Sequence, residues 1–292
     1  MSKENTKRAL QLNVNANEYK QFKLYQQQAD VKAAELGRLS TRRETSEALK
    51  DKFLEVPIQH YMDDPTNLYD IRLYDRRVMV IGDLHAPFIL EGYLEFCIDL
   101  YNRSECDTVV FIGDVVDNHY SSYHETSPNG YGGIDELERA IDELKPWHDA
   151  FPNAYVMIGN HDRLIMRKAT TSNIPRQWVR DYKSVLNTPS WIFIESMEID
   201  DVVYVHGEGG TAKNKAKNDL QSHVQGHLHS QAYIEFLVGN KRKVFGMQVG
   251  CGVDDSSYAM AYGKNFKKSI ISAGVITYGN PYIELMNLEK YK

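Results

Sequence analysis

Five short polar motifs occur along the chain, and each directly follows a run of apolar residues that favour β-strands. They are GDLH at 82–85, GDVVDN at 113–118, GNHD at 159–162, VHG at 205–207 and GHLH at 226–229. A hydrophobic strand that ends in polar ligands is how an α/β protein gathers distant side chains at one edge of its sheet. The motifs therefore predict an α/β fold in which five strand ends converge on one site.

The apolar runs alternate with helical patterns up to about residue 190. Buried strands are predicted at 78–81, 109–112 and 155–158, with helices at about 91–102 and 134–150 between them. Further strands, at 191–194, 202–205, 233–238, 243–247 and 270–278, lie closer together in sequence. This pattern predicts two sheets with helices outside.

The first 70 residues have a different pattern. Apolar residues at helical spacing predict a helix at about 15–36, closed by Gly37, and Thr41 with Glu44 forms a capping box that starts a second helix, which Pro57 stops. A turn-rich stretch at 62–67 places the boundary near residue 70. We expect a helical N-terminal extension at 1–70, with a packing or homo-oligomerisation role, followed by a catalytic domain at 71–292.

DNA binding is an alternative role for this extension. Residues 33–37 (AAELG) resemble the turn of a helix-turn-helix, and Arg38, Arg42 and Arg43 follow. The resemblance weakens near Arg43, where a recognition helix should place an apolar residue.

Composition excludes several protein classes. A formal net charge of −6 does not fit a polycation that coats nucleic acid, and 42% apolar residues indicate a packed core rather than disorder. Three widely spaced cysteines form no CxxC pair and favour a reducing compartment. The polar start and the lack of a run of about 18–20 apolar residues predict a cytoplasmic protein with no membrane span.

The motifs offer carboxylate, amide and imidazole ligands without a thiolate, a set suited to divalent metal ions. The predicted ligands are Asp83, His85, Asp114, Asn160, His206, His227 and His229. Two ions roughly 3.5–4 Å apart can clamp the attacking and leaving oxygens of a phosphoryl displacement, with one carboxylate as a bridge.

Asp114 is the predicted bridge between the two ions. The first ion is expected to take Asp83, His85 and one of the two C-terminal histidines, and the second Asn160, His206 and the other. Because Asp83 and His85 are two residues apart, they would point the same way in a regular strand, and His227 and His229 repeat this spacing.

Two further residues are predicted to be catalytic. Asp117 is expected to orient His161 and to raise its basicity. His161 then either protonates the leaving oxygen or stabilises charge on the phosphoryl oxygens, and the sequence does not separate these roles. The expected nucleophile is a metal-activated hydroxide.

In this order, Asp-x-His, Gly-Asp-x-x-Asp, Gly-Asn-His-Asp, His-Gly and Gly-His-x-His resemble the calcineurin-like metallophosphoesterase superfamily over about residues 76–280. The resemblance implies a four-layer αββα sandwich, and two divalent ions, with manganese expected and iron, zinc or nickel as alternatives. It implies the same roles for His161 and Asp117. The domain also looks like an uncharacterised group common in phages and bacteria.

The chain departs from the protein Ser/Thr phosphatase branch of that family. Where that branch has an arginine that grips phosphate, this chain has Asn118, and Arg163 is a candidate substitute. This favours a phosphodiester, nucleotide or nucleic-acid substrate; a phosphomonoesterase, or a non-catalytic nucleic-acid-binding module that keeps metals for structure, is the alternative.

Two further features bear on the substrate. The aromatic, glycine-rich loop from His119 to residue 133 either covers the substrate, with His119 as a candidate contact, or is an ordinary surface connection. Lysines at 213, 215 and 217, and at 264, 267 and 268 among aromatics, suit nucleic-acid binding or a plain solvated surface.

Overall fold

A computed structural model describes residues 69–71, 76–123, 129–240, 242–257 and 268–291. The predicted helical extension at 1–70 lies outside these residues, except for residues 69 and 70, which begin a strand. Lys264, Lys267 and residues 124–128 of the predicted loop also lie outside the described residues.

The described residues form two sheets of six strands each, which we call the first and second sheets. The first sheet has the order β12-β11-β2-β3-β4-β5, and β2 to β5 run parallel. Its strands are β2 (Arg77–Ile81), β3 (Thr108–Phe111), β4 (Tyr155–Met157), β5 (Ile192–Ile194), β11 (Ser272–Thr277) and β12 (Asn280–Leu285). The parallel strands are the valine- and isoleucine-rich runs predicted from the sequence, because strands covered on both faces must be apolar throughout.

The second sheet is mixed and has the order β1-β6-β7-β8-β10-β9. Its strands are β1 (Tyr69–Ile71), β6 (Ser196–Ile199), β7 (Val202–Val205), β8 (Ser222–Gln225), β9 (Tyr233–Val238) and β10 (Lys243–Gln248). Of these, β7, β9 and β10 match predicted strands, whereas β6 and β8 were not predicted.

Five α-helices accompany the sheets within the described residues: α1 (Tyr93–Arg103), α2 (Gly133–Ala150), α3 (Leu164–Thr171), α4 (Tyr182–Val185) and α5 (Ala212–Asp219). The helices predicted at about 91–102 and 134–150 are α1 and α2. The lysines at 213, 215 and 217 lie on α5. No described helix has the length and apolarity needed to cross a membrane.

The strands of the first sheet bury both faces. In β2, Val78 and Val80 join a cluster shared with the second sheet, whereas Met79 and Ile81 join a cluster shared with α1 and α2. On the far side, α5 approaches β10 closely, since a Cβ at Gly246 would lie 2.5 Å from the backbone nitrogen of Lys213. Helices therefore cover the outer face of each sheet, which confirms the four-layer αββα arrangement.

Candidate metal centre

The predicted ligands follow the ends of five strands, three in the first sheet and two in the second. Those after β2, β3 and β4 of the first sheet are Asp83, His85, Asp114 and Asn160, and those after β7 and β8 of the second sheet are His206, His227 and His229. Because the sheets pack face to face, these strand ends meet at one edge of the sandwich.

The first group of ligand atoms comes from Asp83, His85 and His229, whose atoms all lie within 4.8 Å of one another. His229 Nε2 is 3.1 Å from Asp83 Oδ2, and the rings of His85 and His229 have centroids 4.9 Å apart. Asp83 and His85 are buried. This group could hold one ion, and we call it the first ligand group.

The second ligand group consists of Asp114, His206 and His227, which meet the same distance condition. His206 Nε2 is 3.1 Å from Asp114 Oδ2 and 3.0 Å from Asn160 Oδ1. His206 donates Nδ1–H to the carbonyl of Ile112 at 3.0 Å, so its Nε2 is the atom left for a metal. The structure thus assigns His229 to the first ligand group and His227 to the second, which the sequence left open.

Asp114 lies between the two ligand groups. Its Oδ2 is 3.1 Å from His206 Nε2 of the second ligand group and 3.6 Å from His85 Nε2 of the first. Although burial alone would raise it, the nearby histidines hold the pKa of Asp114 well below its usual range. An ionised carboxylate that faces a histidine from each group has the position required of a bridge.

Unpartnered atoms indicate that these groups are incomplete without an ion. Asp83 Oδ1 and His85 Nε2 are buried, and neither has a hydrogen-bond partner among the described residues. Leaving a buried polar group unpaired costs about 1–3 kcal/mol, and more when it is charged. Nitrogen and oxygen donors without thiolate match divalent ions such as Mn²⁺ or Zn²⁺, so the residues present fit the predicted metals.

Asp117 contacts two histidines. Its Oδ1 is 2.6 Å from His85 Nδ1 and 3.3 Å from His161 Nδ1. Burial would raise the pKa of Asp117, but the hydrogen bonds from His161 and His85 lower it far below its usual value. These three residues also meet the distance condition for a metal group, but two ligands with bonds of about 2.0–2.2 Å to one ion lie about 3 Å or more apart. The 2.6 Å contact is therefore a hydrogen bond, and Asp117 orients His85.

His161 lies beside the first ligand group, with its ring centroid 4.5 Å from that of His85. It donates Nδ1–H to the backbone carbonyl of Asp117 at 2.7 Å, which leaves Nε2 as the ring atom for a substrate. Burial opposes protonation of this ring, but Asp117 and Asp114 raise the pKa of His161 to about 10. In the absence of bound cations, His161 is therefore protonated at neutral pH.

The ligand pairs at 83 and 85, and at 227 and 229, do not lie in regular strands. β2 ends at Ile81 and β8 at Gln225, and the backbone is left-handed at His85 (φ 50°) and His227 (φ 70°). The backbone at these pairs is therefore not a regular strand. Asp83 and His85 still meet in the first ligand group, whereas His227 and His229 lie in different groups. Such strained conformations persist where the surrounding structure holds them, often at functional sites.

Glycines in the motifs leave space for the ligands. A Cβ at Gly159 would collide with the carboxylate of Asp114, and a Cβ at Gly226 would collide with that of Asp83. The missing side chains at these two glycines therefore let the backbone pass close to the carboxylates.

Three candidate substrate contacts are held by protein groups. Asn118 donates from Nδ2 to the carbonyl of His161 at 3.0 Å, and the side chain of His119 is buried. Arg163 forms ion pairs with Glu195 at 2.6 Å and with Glu208. None of the three offers a free charge for phosphate.

Asp162 is a supporting residue to which the sequence assigned no role. Its buried carboxylate accepts from the backbone N–H groups of Asp114 at 2.9 Å, Gly159 at 2.8 Å and Val116 at 3.3 Å. Burial, and then the charge of Asp114, raise the pKa of Asp162 to about 7. Asp162 therefore ties the loop after β3 to the loop after β4, and its place in the GNHD motif was the only signal.

Glu136, on α2, was also missed. Its buried carboxylate accepts from the backbone N–H groups of His119 at 2.6 Å and Tyr120 at 3.2 Å, and burial raises its pKa to about 7. It fixes the short 3-10 turn that follows Asp117 and Asn118. Nothing in the sequence separates Glu136 from its acidic neighbours on the helix.

A buried pair of amides supports the loops of the second sheet. Gln225 donates from Nε2 to the carbonyl of Gly210 at 2.8 Å and to Gln248 Oε1 at 3.1 Å. Gln248 in turn donates to the carbonyl of Gly226. The pair links the loop after His206 to the residues just before His227, and we saw no sequence signal for it.

Solved structures similar to this chain include the following three. A phosphoesterase from E. coli, Yfce, has 14% sequence identity and a TM-score of 0.35, covering 72% of this chain and 98% of its own. A metallophosphoesterase from Sphaerobacter thermophilus has 13% identity and a TM-score of 0.38, with coverage of 74% and 91%. Vacuolar Protein Sorting 29 from Cryptosporidium parvum has 14% identity and a TM-score of 0.35, with coverage of 73% and 97%.

The sequence matches one protein family. None of the curated proteins matches the chain. The family described as calcineurin-like phosphoesterase matches residues 76–246, more than half of the chain. This span contains every residue of the two ligand groups.

Proposed function

Since the chain belongs to the calcineurin-like phosphoesterase family, and is therefore a metal-dependent hydrolase of phosphate esters, we propose that its substrates are phosphodiesters of the nucleotide or nucleic-acid class. The proposal of a catalytic metal centre rests on the position of Asp114, whose Oδ2 faces a histidine of each ligand group. A single carboxylate shared by two groups supports a dinuclear site.

The two ligand groups define which residues would hold the ions. One ion would be held by Asp83, His85 and His229, and the other by His206, His227 and Asn160. Asp114 would be a ligand of both ions. Two bound divalent ions supply Lewis-acid stabilisation of phosphoryl charge and lower the pKa of water toward neutrality, which provides a hydroxide nucleophile without a protein nucleophile. Manganese is the proposed ion.

His161 is the proposed proton donor to the leaving oxygen. Its Nδ1–H is committed to the carbonyl of Asp117, so Nε2–H is the proton that can move. The raised pKa of His161, about 10, keeps this proton in place, and two cations bound nearby would lower that pKa toward the working range of a general acid. Asp117 is a positioning residue that holds the rings of both His85 and His161.

The surroundings of the centre favour a substrate with a single negative charge. The guanidinium of Arg163 is already neutralised by Glu195 and Glu208, and the Asn118 amide is used by the His161 carbonyl. A dianionic monoester gains most from a bidentate arginine, and none of these candidates supplies one. A phosphodiester has one ionised oxygen, so it loses less binding energy when no arginine is available.

We also propose a cytoplasmic location. All three cysteines, Cys97, Cys106 and Cys251, are buried and free, which suits a reducing compartment.

The proposed function is tested by parallel assays of the manganese-loaded protein on an aryl phosphodiester and an aryl phosphomonoester. We expect turnover of both to disappear with a chelator, and kcat/KM to be higher for the diester. Asp114→Asn is the control that should remove both activities. Manganese-dependent turnover of the monoester alone would contradict the diester proposal, and no turnover of either would favour a non-catalytic role.

A further inference from the structure

A strongly basic segment leads away from the candidate centre. Residues 163–183 contain six arginines and lysines against the single acid Asp181, a net charge of +5 in a chain whose formal net charge is −6. The segment starts two residues after His161 and runs through α3, the 3-10 turn Arg176–Trp178 and α4. Such a concentration of one sign of charge attracts polyanions.

Most of these cations form no ion pair with a described carboxylate, although Arg180 donates to the backbone carbonyl of Ser184 at 3.2 Å. Arg163 is paired with Glu195 and Glu208. In the part of the chain that the structure describes, the other five have no carboxylate within 4.0 Å; they are Arg167, Lys168, Arg176, Arg180 and Lys183. By contrast, Arg76, Arg77, Arg103 and Lys290 each have a carboxylate partner.

An exposed tryptophan lies among the unpaired cations. The side chain of Trp178 is 82% exposed, the largest exposure of any large apolar residue among those described. Exposing an indole forgoes the free energy of burying it, so a binding role explains it better than packing does. Arginine and lysine beside an exposed aromatic ring are the elements that track a phosphate backbone and stack on its bases.

Besides following His161 in sequence, the segment contacts Tyr123, a residue of the loop after β3. Tyr123, which follows the 3-10 turn after Asn118, lies with its ring 5.1 Å from the Arg167 guanidinium and 5.4 Å from Lys168 Nζ. Tyr123 is itself 55% exposed. The start of the segment is therefore close to His161 in sequence and, through Tyr123, to the end of the loop that carries Asp117.

We propose that Arg167, Lys168, Arg176, Trp178, Arg180 and Lys183, which we call the basic strip, bind single-stranded nucleic acid and lead one of its phosphodiesters to the metal centre. This inference rests on the proposed function. A single strand is favoured over a duplex because its bases are free to stack on Trp178. An anionic membrane would require a broad apolar face, and the segment exposes two large apolar side chains, Ile174 and Trp178.

The test is fluorescence anisotropy of a labelled oligothymidylate with the full chain in chelator, where hydrolysis cannot occur. Trp178→Ala is expected to weaken binding about 5- to 150-fold, the range for loss of one stacked base. Arg176→Gln combined with Arg180→Gln is expected to reduce the dependence of log affinity on log salt by about 1.4, since each single-strand phosphate contact contributes about 0.7.

Matched controls come from α5 and β9, whose residues are outside the basic strip. Lys215→Gln with Lys217→Gln on α5 makes the same charge change away from the strip, and Phe236→Ala removes an exposed aromatic ring from β9. Neither control should change binding beyond twofold. With manganese present, the strip variants should hydrolyse an aryl phosphodiester as the unaltered protein does, but cleave the oligonucleotide more slowly.

The possible outcomes distinguish failure of the basic strip from failure of the proposed function. Equal oligonucleotide affinity in strip and control variants would overturn the basic strip, as would binding to anionic vesicles without binding to the oligonucleotide. Equal affinity for single strand and duplex, with no effect of Trp178→Ala, would also overturn it. Oligonucleotide binding that depends on the strip, with no turnover of the aryl diester, would support the strip as a binding surface and overturn the proposed function instead.

Discussion

The first sheet supplies both carboxylates of the ligand groups, whereas the second sheet supplies only imidazoles. Asp83 and Asp114 follow β2 and β3, and His206, His227 and His229 follow β7 and β8. Each ligand group takes residues from both sheets. The centre is therefore a property of the way the sheets pack, and neither sheet could form an ion site of this composition alone.

The two sides also differ in how they are held. On the first sheet, carboxylates of Asp162 and Asp117 accept hydrogen bonds that fix the loops and rings around the ligands. On the second sheet, the neutral amides of Gln225 and Gln248 hold the loops around the ligands. Negative charge is thus concentrated on the first sheet, which we expect to dominate both metal affinity and catalysis.

The largest expected effect comes from Asp114→Asn, which removes the charge shared by both ligand groups. We expect kcat on an aryl phosphodiester to fall by about 1000-fold or more, since losing one group that stabilises transition-state charge already costs about 10²–10³. Bound manganese, measured by elemental analysis, should fall below two ions per chain. Activity within tenfold of the unaltered protein would show that Asp114 is not the bridge.

His161→Asn separates catalysis from metal binding on the first sheet. General acid catalysis contributes about 10²–10⁴ in rate, so kcat should fall by about 100-fold or more while two ions remain bound. His206→Asn on the second sheet is the matched comparison, and it should lose metal as well as activity. If His161→Asn also lost an ion, His161 would be a ligand rather than a proton donor.

Metal should stabilise the packing of the two sheets. Because each ligand group spans both sheets, manganese at 100 times its Kd should add about 2.7 kcal/mol to the free energy of unfolding. For a chain of this size we expect Tm to rise by about 5–10 °C over the chelated protein. Thermal melts followed by circular dichroism measure this, and His229→Ala should reduce the rise. An identical Tm with and without manganese would contradict a centre that joins the sheets.

Glu136→Ala is expected to have the smallest effect, since Glu136 supports only the loop after β3. The change leaves two backbone N–H groups without an acceptor, which should lower the free energy of unfolding by about 1–3 kcal/mol. Activity should fall by less than in His161→Asn. Glu138→Ala, an exposed position on the same helix, is the control in the same urea titrations. Equal stability of the two variants would show that Glu136 does not hold the turn.

The comparison of the two sheets also explains what the sequence could predict. β2, β3 and β4 are largely apolar because the sheet is covered on both faces, so they were recognised without knowledge of their partners. β8 reads Ser-His-Val-Gln and is fully buried, but three of its four residues are polar, so no apolar run marks it in the sequence. β12 lies at a sheet edge and contains Pro281, which weakens any strand pattern.

The candidate metal centre could likewise be predicted only in part from the sequence. The candidate ligands could be predicted because glycine-flanked histidines and carboxylates follow apolar runs. Their grouping could not, because whether His227 or His229 faces Asp83 depends on left-handed backbone at His227. Glu136 and Gln225 act through contacts with residues distant in sequence, which no local pattern records.

The most direct test of the account is anomalous scattering from crystals grown with manganese. The account predicts two peaks within ordinary coordination distance of the ligand groups, one beside Asp83, His85 and His229 and the other beside His206 and His227. Asp114 should contact both ions. A single peak, or two peaks that do not share Asp114, would contradict a dinuclear centre built where the two sheets meet.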